Sequence, residues 1–203
     1  MKITATASAL KALQIISPSN DIRYYLNGIY VEARANETRL VATDGHRLGV
    51  VRIRTECNND VPDGQAVTLI VPNSVIERLR VSRTSPDEVE IGWTDDGRAY
   101  VSHDDVRITF TPLEGKFPDY RAVIPAEPSG LASQFNPAYL VDFKKIGTKL
   151  LRLSAATRLQ VVVLHNGEGA SVATIEGCED FVGVVMPVRS ESVRAPSHAW
   201  ARE

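Results

Sequence analysis

The sequence predicts an α+β, strand-rich protein in which a strand–helix–strands unit is repeated, with one helix in each unit. Three observations predict it. Short strand-like runs at 3–7, 67–71 and 131–135 are each followed by a residue suited to begin a helix, namely Ser8, Asn73 and Asn136. These three positions are spaced almost evenly along the chain, which points to one module used three times. After each helix come runs rich in Val, Ile, Leu and Tyr, separated by turn dipeptides such as Asp96-Gly97 and Asn166-Gly167.

The first helix places Leu10, Leu13 and Ile16 on one side, with Lys11 and Gln14 elsewhere. Strands are expected over 29–33 and 39–43, turning near Asn36. The second helix buries Val75, Ile76 and Leu79 and leaves Glu77, Arg78 and Arg80 outside. Strands follow over 88–93, 98–103 and 106–111. The third helix has Pro137 at its first position, where the missing N–H costs nothing. It buries Tyr139, Leu140, Phe143 and Leu150 and exposes Lys144, Lys145 and Lys149. Strands over 159–164, 170–175 and 181–188 complete the third unit, and 56–64 and 125–130 read as Pro/Gly-containing connectors.

Composition limits the function classes. Apolar residues make up 43% and charged residues 24% of 203 positions, which describes an ordinary globular chain. The formal charge of −2 argues against a basic nucleic-acid binder, so any contact with DNA must come from a local basic surface. Cys57 and Cys178 lie far apart without a metal-ligand pattern and are expected as reduced thiols in a cytoplasmic protein. The first sixteen residues read as a strand and helix rather than a signal peptide, and no apolar run reaches the roughly 20 residues of a membrane span. No nucleophile–base pair or phosphate-cradling glycine loop is evident, so no enzyme, cofactor or metal site is expected. Asp44 beside His46 permits a metal-dependent hydrolase as a rival, but no second His stands at ligand spacing.

Four runs carry more. They are Asp21-Ile22-Arg23-Tyr24-Tyr25-Leu26-Asn27-Gly28-Ile29, Ala42-Thr43-Asp44-Gly45-His46-Arg47-Leu48, Gly115-Lys116-Phe117-Pro118-Asp119-Tyr120-Arg121 and Val184-Val185-Met186-Pro187-Val188-Arg189. In this order the chain resembles the bacterial DNA polymerase III beta sliding clamp family. Residues 1–125 look like its complete middle domain (two units), 126–189 like the second half of its last domain, and 190–203 like an added tail. The resemblance implies a DNA-clamp fold, with antiparallel sheets outside and helices on one face, and a noncatalytic processivity factor of DNA replication that encircles or tethers duplex DNA.

It also implies a hydrophobic cleft for linear peptides of DNA polymerase, clamp-loader and repair proteins. The matching positions are Leu26, Thr43, Gly45, His46, Arg47, Leu48, Pro125, Asn136, Tyr139, Val184, Met186, Pro187, Val188 and Arg189. DNA contacts are expected from Asn20, Arg23, Tyr24 and Tyr25, and from the helical cations Arg78, Arg80, Lys144, Lys145, Lys149 and Arg152, which on their own are a solvated face. Phe117 and Tyr120 are expected to be buried in a structural connector. Self-association into a ring-like homo-oligomer is implied as well. A non-encircling adaptor or decoy that binds the same peptides without DNA is the alternative. Both clamp readings require 43–48 and 186–189 to meet as neighbouring lips of one groove.

Overall fold

Eleven strands and three helices build two antiparallel sheets in the computed structural model, which describes residues 1–54, 59–84 and 86–189 together with Trp200. The first unit comprises β1 (Lys2–Thr6), α1 (Ala7–Leu13), β2 (Gly28–Arg34), β3 (Glu37–Thr43) and β4 (Arg47–Arg54). The second comprises β5 (Val67–Pro72), α2 (Asn73–Ile76), β6 (Glu88–Trp93), β7 (Ala99–His103) and β8 (Val106–Phe110). The third contains α3 (Pro137–Leu150), β9 (Val161–Leu164), β10 (Ser171–Ile175) and β11 (Phe181–Val185).

The first two units exchange their leading strands. One sheet runs β1-β6-β7-β8, so the first unit's leading strand pairs with the second unit's ladder; β5 pairs in return with β2. The second sheet does not stop at the first unit. It runs β5-β2-β3-β4-β11-β10-β9, because β11 pairs antiparallel with β4 from Arg47↔Val185 to Val51↔Phe181. The sheet is therefore continuous across residue 125.

Period-two alternation assigns the two faces of this sheet. Val31, Leu40, Ala42, Val51 and Val185 point into the larger core with the helices. Tyr30, Val41, Leu48, Val50 and Val184 point to the opposite face, where Phe117 and Tyr120 cover them. Phe117 and Tyr120 are buried as expected, and Tyr30 stacks on Phe117 with ring centroids 4.7 Å apart.

Helices α1 and α3 lie side by side over the β4–β11 seam, and a pair of glycines lets them do so. Gly49 and Gly183 face each other across the ladder. A Cβ on Gly49 would lie 2.8 Å from Leu13 of α1, and one on Gly183 would lie 2.6 Å from Phe143 of α3. Any larger residue there would push a helix off the sheet.

Several sequence expectations are corrected. Thr6, not Ser8, caps α1 by accepting from Ala9 N; Ser8 lies within the helix and bonds through its N–H and hydroxyl to the Asp87 carboxylate. Pro72 precedes α2, and the Asn73 side chain instead donates to Ser17 Oγ and Pro18 O, tying the second unit to the first. Asn136 does cap α3, accepting from Ala138 N at 3.0 Å. Helix α2 is a single turn, so Arg78 and Arg80 are exposed but not helical.

Residues 131–135 do not form a strand. Their polar groups are divided among separate segments: Leu131 O accepts from Gly167, Gln134 O accepts from Val188, and Ser133 N donates to His165. Strand β4 was not anticipated. It is interior to its sheet and buried on both faces over much of its length, so alternation is absent from its sequence. Cys178 is a buried free thiol, its pKa raised by burial. Cys57 and the tail lie outside the described residues, Trp200 excepted. No helix among the described residues is long and apolar enough to cross a membrane.

Candidate peptide cleft and helix-side basic groove

The turn between β3 and β4 is organised by Thr43 and Asp44. Gly45 has φ +90, a conformation in which a Cβ is strained. Thr43 Oγ1 accepts from Gly45 N and donates to Arg47 O, while Asp44 Oδ1 accepts from His46 N and Arg47 N. This network aims His46 and Arg47 at α3. Tyr139 of α3 lies parallel to the His46 ring, with centroids 6.3 Å apart, and the Arg47 guanidinium sits 4.6 Å from the centre of the Tyr139 ring.

Arg47 is the electrostatic centre of the seam. It is paired with Asp44 at 3.0 Å and with Asp142 of α3, and its side chain is only 11% exposed. Burial opposes its charge, but the bonds to Asp142 and Asp44 outweigh that and raise its pKa above the ordinary value. Burial likewise opposes ionisation of Asp142, yet Lys145 and Arg47 hold its pKa below the usual carboxylate value.

The segment after β11 meets this turn directly. Met186 N donates to His46 O at 2.8 Å, immediately after the Val185↔Arg47 pair. Residues 43–48 and Met186 are thus neighbouring walls, whereas 187–189 do not line the same hollow as 43–48. Leu26, Thr43, Gly45, His46, Arg47, Leu48, Val184 and Met186 line one hollow of about 260 Å³. Met186 also borders a second hollow of about 850 Å³, which contains Pro187, Val188 and Arg189 together with 131–134, Gly167 and Glu168. Met186, 40% exposed, stands between the two and is flexible enough to adapt to either side.

Of the fourteen positions matched to the cleft, Pro125, Asn136 and Tyr139 line neither hollow. Four unassigned residues, Pro118, Asp119, Tyr120 and Val123, do line the smaller one. The first three belong to the run at 115–121, whose sequence suggests only a connector, and Val123 lies outside that run. Arg23, assigned to DNA, also lines this hollow; it pairs with Asp21 at 2.7 Å and donates to Asp44 O. That pairing, through the Arg23 side chain and backbone, holds the Asp21 carboxyl at about 2. Asn20 and Tyr24 are exposed, whereas Tyr25 packs at the edge of the smaller core.

The helix side carries a different groove, of about 540 Å³, between α1 and α3. Lys11, Arg83, Lys144, Lys145, Lys149 and Arg152 rim an apolar floor that includes Ile15, Val81, Val141 and Leu153. Burial and then Lys149 lower the pKa of Lys11, an effect opposed by Glu77. Lys11 and Arg83 were not anticipated here, because only the fold brings α1 and the segment after α2 beside α3. Arg78 and Arg80 are not part of the lining. Among the described residues, no three His, Cys, Asp or Glu side chains gather as a metal site.

Residues 2–119 match the family model described as DNA polymerase III beta subunit, central domain. The chain belongs to that family. It is similar to the beta sliding clamp of Escherichia coli (strain K12), 40% identical over 125 residues, covering 59% of this chain and 31% of the relative. It is also similar to the beta sliding clamp of Vibrio cholerae, 33% identical over 138 residues, covering 64% of this chain and 35% of the relative. The chain thus spans about a third of the length of these curated relatives. Among solved structures, the sliding clamp of Pseudomonas aeruginosa superposes with a TM-score of 0.68 at 20% identity, covering 93% of this chain and 66% of that one. The Bacillus subtilis sliding clamp gives 0.69 at 17% identity, covering 94% and 64%. The fold of this family member is the clamp fold, present beyond the matched central domain.

Proposed function

We propose that this chain is a noncatalytic clamp-family module of DNA replication that takes an extended partner peptide in the hollows around Met186. The observation that supports this most is the meeting of 43–48 with Met186 through the β4–β11 ladder and the Met186–His46 bond. An extended peptide would lay apolar side chains on Leu26, Leu48, Val184 and Met186, with backbone groups fixing its register. The peptides are those of a DNA polymerase, clamp loader or repair protein. On this reading 1–125 acts as a middle domain and 126–189 as half of a last domain, and the protein works in the cytoplasm.

The same reading places duplex DNA against the helix side. The cations of α3 and Lys11 would meet phosphate loosely, without base recognition and with strong salt dependence. Self-association into a ring-like homo-oligomer belongs to this reading. A second reading is an adaptor that binds the peptides without encircling DNA. Mass in solution and retention on circular DNA separate the two.

Fluorescence anisotropy with a labelled clamp-binding peptide from a replicative polymerase tests the cleft. Met186→Ala and His46→Ala are expected to weaken binding about tenfold, roughly 1.4 kcal/mol, with an unchanged circular dichroism spectrum. Unaltered affinity in both variants would remove the cleft assignment.

A further inference from the structure

The groove between α1 and α3 holds more than loose contact with phosphate requires. Val141, Lys144, Lys145, Thr148 and Lys149 line it from one face of α3 at spacings of three and four, a stripe about 12 Å long. Lys11 of α1 and Ile15 just after it line the groove too, as do Val81 and Arg83 from the segment after α2. The chain leaves this apolar floor partly bare: Val81 is 40% and Val141 51% exposed.

The cations of the rim are only partly satisfied within the chain. Lys145 pairs with Asp142 at 2.7 Å, Lys11 donates to Glu77 O at 2.9 Å, and Arg152 donates to Ser82 O. Among the described residues, no carboxylate pairs with Arg83, Lys144 or Lys149. Burial first and Lys149 next disfavour the charge on Lys11, so an anion between the two ammonium groups would relieve a repulsion already present. The chain carries a formal charge of −2, so this groove is a local cationic surface toward which an anion is drawn. Floor and rim together select the occupant. Duplex DNA presents phosphate and sugar to a surface it lies on, leaving Val81 and Val141 without an apolar partner. A single fatty acid would cover the floor but bring one negative charge to several cations. A segment with several carboxylates and an apolar stripe meets both demands, and as a helix its ridges match the spacing on α3.

We propose that this groove is a docking site for an acidic amphipathic helix of a partner protein. The helix lies beside α1 and α3, with its apolar stripe on Ile15, Val81 and Val141 and its Asp or Glu side chains against Arg83, Lys144 and Lys149. The site shares no lining residue with either hollow around Met186, and it takes a helix where those take an extended peptide. It is therefore independent of the peptide-cleft reading.

The probe is a fluorescently labelled, side-chain-stapled helix of about 12 residues, roughly three turns, with Leu along one face and Glu beside it. Stapling removes much of the ordering cost of binding. Anisotropy with the full chain should give a Kd in the micromolar range, and a probe with Gln in place of every Leu should bind about tenfold more weakly. The double variants Lys144→Ala/Lys149→Ala and Val81→Ser/Val141→Ser should each weaken the Leu probe about tenfold with an unchanged circular dichroism spectrum. Arg78→Ala/Arg80→Ala, outside the lining, and Met186→Ala should leave its affinity as in the wild type. Equal binding of the Gln probe, or an equal loss in the Arg78→Ala/Arg80→Ala variant, would mean attraction by charge alone and would overturn the proposal. So would an absence of binding, or displacement of the probe by the clamp-binding peptide, which would put it at Met186 instead.

Discussion

Residues 1–125 and 126–189 are made of the same kind of unit but are stabilised differently. In the first region each unit lends a strand to the other, so neither sheet is complete without both units. The third unit lends nothing within the chain and is held by attachment: β11 on β4, α3 beside α1, and the ion pairs of Arg47 with Asp142 and Arg52 with Asp180. The difference shows that exchange fixes a pair of units through two ladders, whereas attachment concentrates the burden on one seam. That seam is also where the candidate cleft opens. Stability and the proposed peptide binding therefore draw on the same few residues.

Damage confined to the seam should separate the two regions. The largest effect is expected from Gly183→Val, whose side chain would enter the space of Phe143. A loss of about 3 kcal/mol is expected in urea unfolding. Hydrogen exchange should rise across β9, β10 and β11 while β6, β7 and β8 stay protected. Uniform loss of protection would show that the seam is as integral as the exchanged strands. Arg47→Ala should cost about 2 kcal/mol, because it leaves the largely buried Asp142 carboxylate with Lys145 alone.

Acid should act on the same seam with the smallest effect. The pKa of Asp142 in the folded protein lies below its ordinary value of 3.8, so its contribution is fully present above that value. It is lost as pH falls through the depressed folded pKa. Asp142→Asn should flatten the dependence of the urea midpoint on pH in this acidic range, by about 1 kcal/mol or less. An unchanged slope would show that Asp142 is not linked to folding.

Much of this arrangement was legible from residue pattern. The β6, β7 and β8 runs, the Asn136 cap and the burial of Phe143 on α3 follow from local chemistry, whereas Tyr139, Leu140 and Leu150 are only half-buried and Ile146, fully buried, was not anticipated. Exchange and attachment did not, since both are pairings between residues distant in sequence. Strand β4 was hidden because an interior strand has no polar side to mark it, and Gly49 within it reads as a breaker until α1 is seen above it. The proposed walls of the candidate cleft rest on family resemblance. The contribution of Pro118, Asp119, Tyr120 and Val123 needed the fold, because a connector becomes a wall only where the opposite strand lies. The same holds for Lys11 beside α3.

The position of β11 has a consequence for how the protein is made. It is the last of the described strands to leave the ribosome, yet it sits fifth of seven in the larger sheet. Until it emerges, the Arg47–Arg54 edge has no neighbour on that side while everything up to Phe181 is translated. At typical elongation speeds this lasts on the order of ten seconds. During that time the nascent chain exposes an apolar strand edge, so slow translation late in the message should favour its misassembly.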